Sequence, residues 1–373
     1  MTQDSVNTAR RRFLAQASAL SALGLMPSAI FAATADQQKQ DIWLSATGDS
    51  AESYGLSWYR DGKVQSLASG FRGHGCAWHP AHAEQAVLVG RRPGRECLLA
   101  DLNTGAELRR WQTEPGYHLN GHALYSADGL LLFVAESADG TEAGSIAVYD
   151  AVLGHLLTRW SSHGTEPHEI RLSPDGSQLI IAHGGLQKDS KGQLTNRAQM
   201  QSDLTLLDAR TGDLVARFSC PVATASLRHI DVAADGSVAI AAQIQDERFT
   251  PLAYLWRPGM ESLTALEAPA ALITHCHNYM GSVAICNASR SVGFTSPKGD
   301  LALFWNLDDG SFKGYHRFHD VCGLTVDQQQ QTFVLSNSSG WLRQIRSSDL
   351  SPLEERWQQF DRRWDNHLLG IPG

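Results

Sequence analysis

The chain has 373 residues, a formal net charge of −8, 42% hydrophobic residues and 19% charged residues. This composition excludes a disordered chain, because it is apolar enough to build a core, and a polytopic membrane protein, because Gly and polar residues interrupt the apolar runs. The acidic balance disfavours nucleic acid as a partner, since nucleic-acid-binding proteins usually present a basic field. The length fits two average domains or one large closed β domain.

Residues 1–35 have the order of an export signal. An arginine run at 10–12 precedes Phe13-Leu14, an apolar stretch rich in Ala and Leu follows, and Ala33-Thr34-Ala35 offers small residues to a signal peptidase. The arginines followed by Phe-Leu resemble a twin-arginine signal, whose route exports folded proteins. The alternative is a membrane anchor, which the short Gly- and Ala-rich stretch and the absence of a following charge cluster disfavour.

Cleavage of this signal defines the mature protein that we predict. Residues 36–373 then form a single domain in the periplasm, with no stable membrane insertion. The loss of Arg10, Arg11, Arg12 and Asp4 changes the net charge from −8 to −10.

The cysteines do not form a recognisable metal or redox motif. None shows CxxC spacing, so no zinc ribbon, haem attachment or thioredoxin site is indicated. They are interpreted as buried small hydrophobes, with a disulfide left open because the periplasm permits one. The six are Cys76, Cys97, Cys220, Cys276, Cys286 and Cys322.

Short apolar runs recur with two classes of turn between them. Asp-Gly turns end at Gly129, Gly176 and Gly236, and each joins two strand-like runs. Asp-Gly between apolar runs favours a hairpin, because both residues tolerate positive φ. A second class ends at Gly105, Gly212 and Gly310 and precedes another short strand. Four antiparallel strands repeating about every 40 to 50 residues are typical of a β-propeller blade.

The repeat predicts an all-β fold, a seven-bladed β-propeller. Its ring is closed by a blade that combines the last strand, at 364–368, with N-terminal strands near 41–45, 54–59 and 64–67. A polar insertion near 184–202 is predicted to be a surface loop within the third blade. The other innermost strands are placed near 75–79, 122–127, 168–173, 228–233, 278–285 and 321–326.

Histidines recur close to the start of these innermost strands. Because innermost strands line the central channel of a propeller, histidines from several blades are expected to converge there. Imidazole is a ligand suited to iron, copper, zinc or nickel. The alternative is a structural histidine bonded within its own blade, as in the Gly-His of WD-type propellers. The candidate metal ligands are His74, His122, His168, His229, His277, His319 and His367.

Charged residues beside these histidines are candidates for orienting the ligands, and the carboxylates among them are also candidate metal ligands. Carboxylates next to a metal site commonly hydrogen-bond the ligating imidazoles. The candidates are Glu169, Asp320, Asp365, Arg72 and Arg228. Iron is the favoured metal, with copper as the alternative because Cys76, Cys276 and Cys322 lie near the same strand ends.

Several motifs together resemble a bacterial family known only as a domain of unknown function. They are the twin-arginine start, Arg72-Gly73-His74-Gly75, Pro167-His168-Glu169, Leu227-Arg228-His229, Gly281-Ser282-Val283-Ala284 and Asp320-Val321-Cys322-Gly323. The resemblance covers essentially the whole mature chain. It implies an exported propeller-like protein, often encoded beside imelysin-type and di-haem oxidoreductase-like proteins, and hence a role in periplasmic iron uptake or handling. The blade-five match does not include His275 or His277.

Three functions follow from these observations. The first is a non-enzymatic propeller that binds iron or a small ligand and works with neighbouring periplasmic iron-uptake proteins. The second is a metal-dependent hydrolase, lactonase or oxidoreductase, which the fold permits but does not imply. No GxSxG, HExxH or P-loop motif is present, which favours binding over catalysis. The third is a protein-interaction scaffold that uses the loop at 184–202.

Overall fold

Apolar runs separated by Gly-containing turns form antiparallel strands, as predicted. The computed structural model describes residues 42–189 and 192–371, so the predicted signal at 1–35 lies outside the described residues. Within the described ranges, the strands form seven four-stranded sheets. No helix in these ranges has the length and apolar character needed to cross a bilayer.

The strand bounds follow the chain from Ile42 to Ile371. The first fifteen strands are β1 (Ile42–Thr47), β2 (Gly55–Arg60), β3 (Lys63–Ala68), β4 (Gly73–His79), β5 (His82–Gly90), β6 (Glu96–Asp101), β7 (Ala106–Gln112), β8 (Tyr117–Tyr125), β9 (Leu131–Ala138), β10 (Ala143–Asp150), β11 (Leu156–Thr165), β12 (Pro167–Leu172), β13 (Gln178–His183), β14 (Asp203–Asp208) and β15 (Leu214–Ser219). The next thirteen are β16 (Ala225–Val232), β17 (Val238–Ile244), β18 (Ala253–Trp256), β19 (Thr264–Ala265), β20 (Val283–Cys286), β21 (Ser291–Ser296), β22 (Leu301–Asn306), β23 (Phe312–Arg317), β24 (Val321–Asp327), β25 (Thr332–Asn337), β26 (Trp341–Arg346), β27 (Gln358–Gln359) and β28 (Leu369–Ile371). The helices are α1 (Ala270–His275) and short 3-10 turns at Arg197–Gln199, Pro297–Gly299 and Glu354–Arg356.

The sheets are the blades of a seven-bladed β-propeller. Six of the described sheets contain four consecutive strands, from β4–β7 to β24–β27, and the seventh has the order β28-β1-β2-β3. The innermost strands contact one another in the sequence β4, β8, β12, β16, β20, β24, β28 and back to β4. This closed circuit confirms the predicted fold and leaves no open edge between the first and last blades.

Ring closure differs from the prediction in one detail. The last strand is Leu369–Ile371, which pairs with β1 through Leu44 and Leu369. The predicted strand at 364–368 instead precedes it, and only Trp364 makes an isolated bridge, to Thr47. Residues 365–368 are therefore outside the regular ladder, which leaves His367 free to take a non-strand orientation.

Asp-Gly turns join the first two strands of a blade, as predicted. In the third blade, Asp175 accepts hydrogen bonds from Ser173 Oγ and from the Ser177 backbone N–H, at 2.6 and 3.1 Å. Gly176 adopts φ +70°, a left-handed conformation that glycine reaches without steric cost. The sequence therefore encodes the hairpin locally.

The core consists of apolar layers between adjacent blades. One such layer joins Phe133 and Ile146 of the second blade to Ile170, Leu179 and Leu207 of the third. The outermost strands, such as Leu214–Ser219, are largely exposed, while the strands inside them are buried. The second and third strands of this blade are the most buried, which explains their continuous apolar runs.

The predicted surface loop connects β13 to β14 within the third blade. It contains the 3-10 turn Arg197–Gln199 and a bridge between Lys188 and Leu194. The Leu186 backbone N–H donates to Glu166 Oε2 at 3.2 Å. The loop thus packs at the end of the channel where β12 begins.

Candidate metal centre

Histidines enter the channel where the innermost strands are irregular. The pairing of each innermost strand with its neighbour shifts register at His74, His122, His168 and His229. A β-bulge leaves a residue unpaired and re-aims its side chain. Together with His367, which precedes β28, these residues place imidazoles from five blades in one volume.

The rings are close enough to share one ion. His74, His122, His229 and His367 each offer one nitrogen, and these four atoms all lie within 4.8 Å of one another. The Nε2 atoms of His74 and His367 are 3.2 Å apart. A tetrahedral ion with metal–nitrogen bonds of about 2.1 Å would separate its ligand atoms by about 3.4 Å. Small side-chain movements therefore suffice to form such a site.

Glycines permit this close approach of the first two blades. Gly121 adopts φ +102°, and a Cβ built there would lie 2.5 Å from Cδ2 of His74. A Cβ on Gly75 would lie 2.6 Å from the Gly121 carbonyl oxygen and 2.9 Å from Nδ1 of His122. The glycines adjoining the two histidines therefore have a packing function as well as a conformational one.

Backbone and hydroxyl groups orient two of the ligands. His229 Nδ1 lies 2.8 Å from the Gly281 carbonyl oxygen, which accepts only, so Nδ1 carries the proton and Nε2 presents a lone pair. His367 Nδ1 lies 3.5 Å from Ser282 Oγ. A fixed tautomer of this kind is typical of ligating histidines.

The electrostatics of the cluster favour neutral imidazoles. Burial lowers the pKa of His74, His122, His168 and His367 well below 6.5, and nearby guanidinium groups or neighbouring imidazoles lower each pKa further. The pKa of His229 falls to about 3, mainly through burial. Neutral imidazole is the form that binds a metal ion.

Two buried nitrogens of the cluster lack a hydrogen-bond partner among the described residues. They are Nδ1 of His74 and Nε2 of His122. An unpaired buried polar atom is costly, so such atoms are usually paired with a ligand, ion or water. Glu169 lies on the other side of His122, with Oε1 3.7 Å from its Nδ1. The residues present therefore fit a metal ion bound at the centre of the cluster.

His168 has a different environment from the other four. Its Nδ1 lies 3.2 Å from Nη1 of Arg228, and its Nε2 lies 3.1 Å from Nε2 of His229. Arginine only donates, so Nδ1 of His168 accepts and Nε2 carries the proton. His168 therefore donates a hydrogen bond to His229, and Arg228 contacts the cluster through His168.

The prediction that His277 and His319 join the cluster is wrong. His277 is exposed, at φ +50° in the turn after helix α1. The side chain of His319 is 77% exposed and lies 3.2 Å from Asp300, two residues before β24 begins. Both residues lie outside the bulges of their innermost strands, and both are exposed at the surface.

Other side chains occupy the corresponding positions in these two blades. Ser282 Oγ donates a hydrogen bond to the carbonyl oxygen of Asn366 at 2.5 Å. Cys322 Sγ donates a hydrogen bond to the carbonyl oxygen of Asp365 at 3.2 Å. Cys322 lies at the register shift of β24. The fifth and sixth blades thus hold the segment that presents His367, a role that sequence reasoning missed.

The structure places the charged residues predicted to orient the ligands in different surroundings. Glu169 contacts Arg171 at 2.5 Å, and burial raises its pKa to about 7. Asp320 lies outside the cluster, since its carboxylate binds Ser338 and its backbone adopts φ +47°. Arg72 forms an ion pair with Asp365 at 3.5 Å.

The carboxylate of Asp365 also faces Arg91, at 3.7 Å, and does not reach the group of ligand atoms. At the other ends of the innermost strands, Arg171 and Asp231 line a cavity of about 540 Å³.

All six cysteines are free thiols. Burial raises the pKa of Cys76 to about 12 and that of Cys276 to about 11, so both stay protonated near neutral pH. No cysteine belongs to the group of ligand atoms found among the described residues. The thiol-based reason for copper is therefore removed.

A second histidine constellation escaped sequence reasoning. His183, fully buried in β13, lies 2.9 Å from Asp203 and 2.9 Å from Ser162 Oγ. Asp203 also binds Arg217. Ser, His and Asp in this order resemble a nucleophilic triad, but all three residues are buried. The constellation joins β13 and β14 to β11 of the preceding blade, so we interpret it as structural.

Replacing this histidine tests the structural interpretation. His183→Ala is expected to lower the free energy of unfolding by about 3 kcal/mol, because it leaves a cavity and buried polar partners. His82→Ala, at an exposed histidine of β5, is expected to change it by no more than about 0.5 kcal/mol. Chemical denaturation measures both. Equal effects would contradict the interpretation.

The fold and the site together define a β-propeller with a histidine-lined channel. Residues 67–371 match the family model described as "Protein of unknown function (DUF1513)", and the chain belongs to that family. This confirms the resemblance drawn from the motifs; export and gene neighbours remain predictions.

A comparison with curated proteins finds no match. The chain is also similar in fold to the solved structure of Kuenenia stuttgartiensis hydrazine synthase. The TM-score is 0.62 at 13% identity, and the match covers 79% of this chain and 90% of that chain. This likeness concerns the fold alone.

Proposed function

We propose that this protein binds one divalent transition-metal ion through His74, His122, His229 and His367. The observation that carries the proposal is the convergence of four neutral imidazoles within 4.8 Å, contributed by blades that are remote in sequence. An uncharged nitrogen set of this kind suits iron, copper, zinc or nickel. Nε2 of His122, which is buried with no hydrogen-bond partner among the described residues, supplies a reason for the ion to bind.

Iron is the metal that we propose, with a role in periplasmic iron uptake or handling. The arginine-rich N-terminus and the family resemblance support this finer statement. Binding is favoured over catalysis because the ligand set is enclosed, with His74, His122 and His229 buried. Substrate turnover by the metal-loaded protein would instead favour the enzyme alternative.

Metal titration tests the proposal. Wild-type protein, stripped with a chelator, is expected to melt at a higher temperature when Fe(II), Zn(II), Cu(II) or Ni(II) is added. An ion at about 100 times its dissociation constant contributes about 2.7 kcal/mol to stability. His229→Ala removes a ligand and is expected to weaken binding at least about 100-fold, as measured by calorimetry.

The two excluded histidines provide matched controls. His277→Ala and His319→Ala are expected to bind metal like wild type. Wild-type melting that no ion raises, or equal losses in His229→Ala and His319→Ala, would overturn the metal site. Metal analysis of protein purified from periplasm addresses iron separately: zinc or copper there would overturn the iron role and leave the site intact.

A further inference from the structure

The proton on His168 faces the metal-binding volume. Arg228 donates to Nδ1 of His168, and Arg228 is itself held by Glu166, with Nη1 2.6 Å from Oε1. Glu166 also binds Arg92, which in turn lies 2.9 Å from Glu142. This buried network keeps the Nε2–H of His168 directed at Nε2 of His229, 3.1 Å away.

A metal ion would remove the acceptor of that proton. The lone pair on Nε2 of His229 is the one that a metal would take, because its Nδ1 is committed to the Gly281 carbonyl oxygen. His168 would then hold an N–H without an acceptor, and a buried N–H without a partner is costly. A new acceptor is therefore required beside the ion.

The charge balance points to an anion as that acceptor. Four imidazoles supply no negative charge to a divalent ion, and burying an unpaired charge is unfavourable. Nearby, Arg72 and Arg91 share the single carboxylate of Asp365. Nε of Arg228 is buried with no hydrogen-bond partner among the described residues, which adds a second unused donor.

The five histidines are not equally buried. His168 and His367 are partly buried, whereas His74, His122 and His229 are buried. We propose that the metal centre takes a small anion as a further ligand, and that His168 Nε2–H donates a hydrogen bond to it. This inference rests on the proposed metal binding. His168 is thus a positioning donor to the anion, and Arg228 fixes its tautomer.

Azide binding to the Cu(II)-loaded protein tests the inference. Azide replaces water on the ion and is followed by its charge-transfer absorption in the near ultraviolet. His168→Leu, which cannot donate, is expected to weaken azide binding about tenfold, or about 1.4 kcal/mol. His168→Gln, whose amide N–H can donate, is expected to retain most of the affinity. His319→Ala serves as the control and should match wild type in both Cu(II) and azide affinity.

Two separate outcomes would overturn the inference and leave the metal site standing. The first is equal azide affinity in wild type and His168→Leu, which would exclude a hydrogen bond from His168. The second is a Cu(II) affinity that falls more than tenfold in both His168 variants, which would make His168 a metal ligand. Failure of wild-type protein to bind Cu(II), Fe(II), Zn(II) or Ni(II) would instead refute the proposed function itself.

Discussion

Metal-free protein is expected to lose about 4 kcal/mol of its free energy of unfolding between about pH 7 and about pH 5.5. Burial lowers the pKa of the five clustered histidines in the folded state, whereas the unfolded chain titrates near pH 6.5. Below pH 6.5 the unfolded state therefore binds protons that the folded state does not. Each histidine costs up to about 1.4 kcal/mol per pH unit below pH 6.5 and less above it, which amounts to about 6 kcal/mol for the five between pH 7 and pH 5.5.

A carboxyl group offsets part of this loss. Burial raises the pKa of Glu169 to about 7 in the folded state, so the folded state holds this proton more tightly than the unfolded chain. This contribution therefore grows as the pH falls, by about 2 kcal/mol over the same range. The remaining loss is a large share of a typical stability of about 5–15 kcal/mol.

Urea denaturation across this pH range, with chelator present, measures the effect. His74→Gln/His367→Gln removes two of the titrating groups and is expected to show a flatter dependence on pH. The control is His277→Gln/His319→Gln, which replaces two histidines outside the cluster and should leave the slope as in wild type. A cluster variant as steep as wild type would show that these imidazoles do not set the acid sensitivity.

Gly121→Ala is expected to lower stability by about 3 kcal/mol and metal affinity at least about 100-fold. The added Cβ would meet the His74 ring at 2.5 Å, on a backbone with φ +102° that other residues rarely adopt. The ring must then move away from its position beside His367. Thermal melting and metal calorimetry measure the two effects.

Gly116→Ala separates the effect of backbone strain from the effect of displacing the His74 ring. Gly116 precedes the same strand with φ +90°, but a Cβ there would meet nothing within 4 Å. Its substitution is expected to cost about 1 kcal/mol through backbone strain and to leave metal affinity unchanged. Similar loss of metal affinity in both variants would contradict the assigned role of Gly121.

Local patterns predicted the blades because each strand and turn is encoded within a few residues. The Asp-Gly turns and apolar runs gave correct hairpins, and the two chain ends were correctly assigned to one blade. The last strand was placed about five residues too early, since 364–368 has strand-like composition but pairs only at Trp364.

Of the seven histidines predicted as metal ligands, the structure brings five together in the channel and places two at the surface. Spacing along the chain located histidines near the innermost strands, but spacing does not report whether a side chain lies at a bulge. His319 and His367 each precede their strand by two residues, yet the first is exposed and the second lies in the cluster. The His183 contacts were missed because their partners come from different strands.

The sequence alone predicted the propeller, its approximate blade bounds, the family and the recurrence of histidine at strand starts. These features depend on local pattern and on the repeat period. The tertiary structure decides which imidazoles come into contact and which nitrogen of each imidazole carries a proton. It also decides how the guanidinium groups are paired. These properties arise across the channel, where bulges, close glycine contacts and hydrogen bonds between blades set side-chain direction. Residues such as His74 and His367, 3.2 Å apart at their Nε2 atoms, come together only when the ring closes.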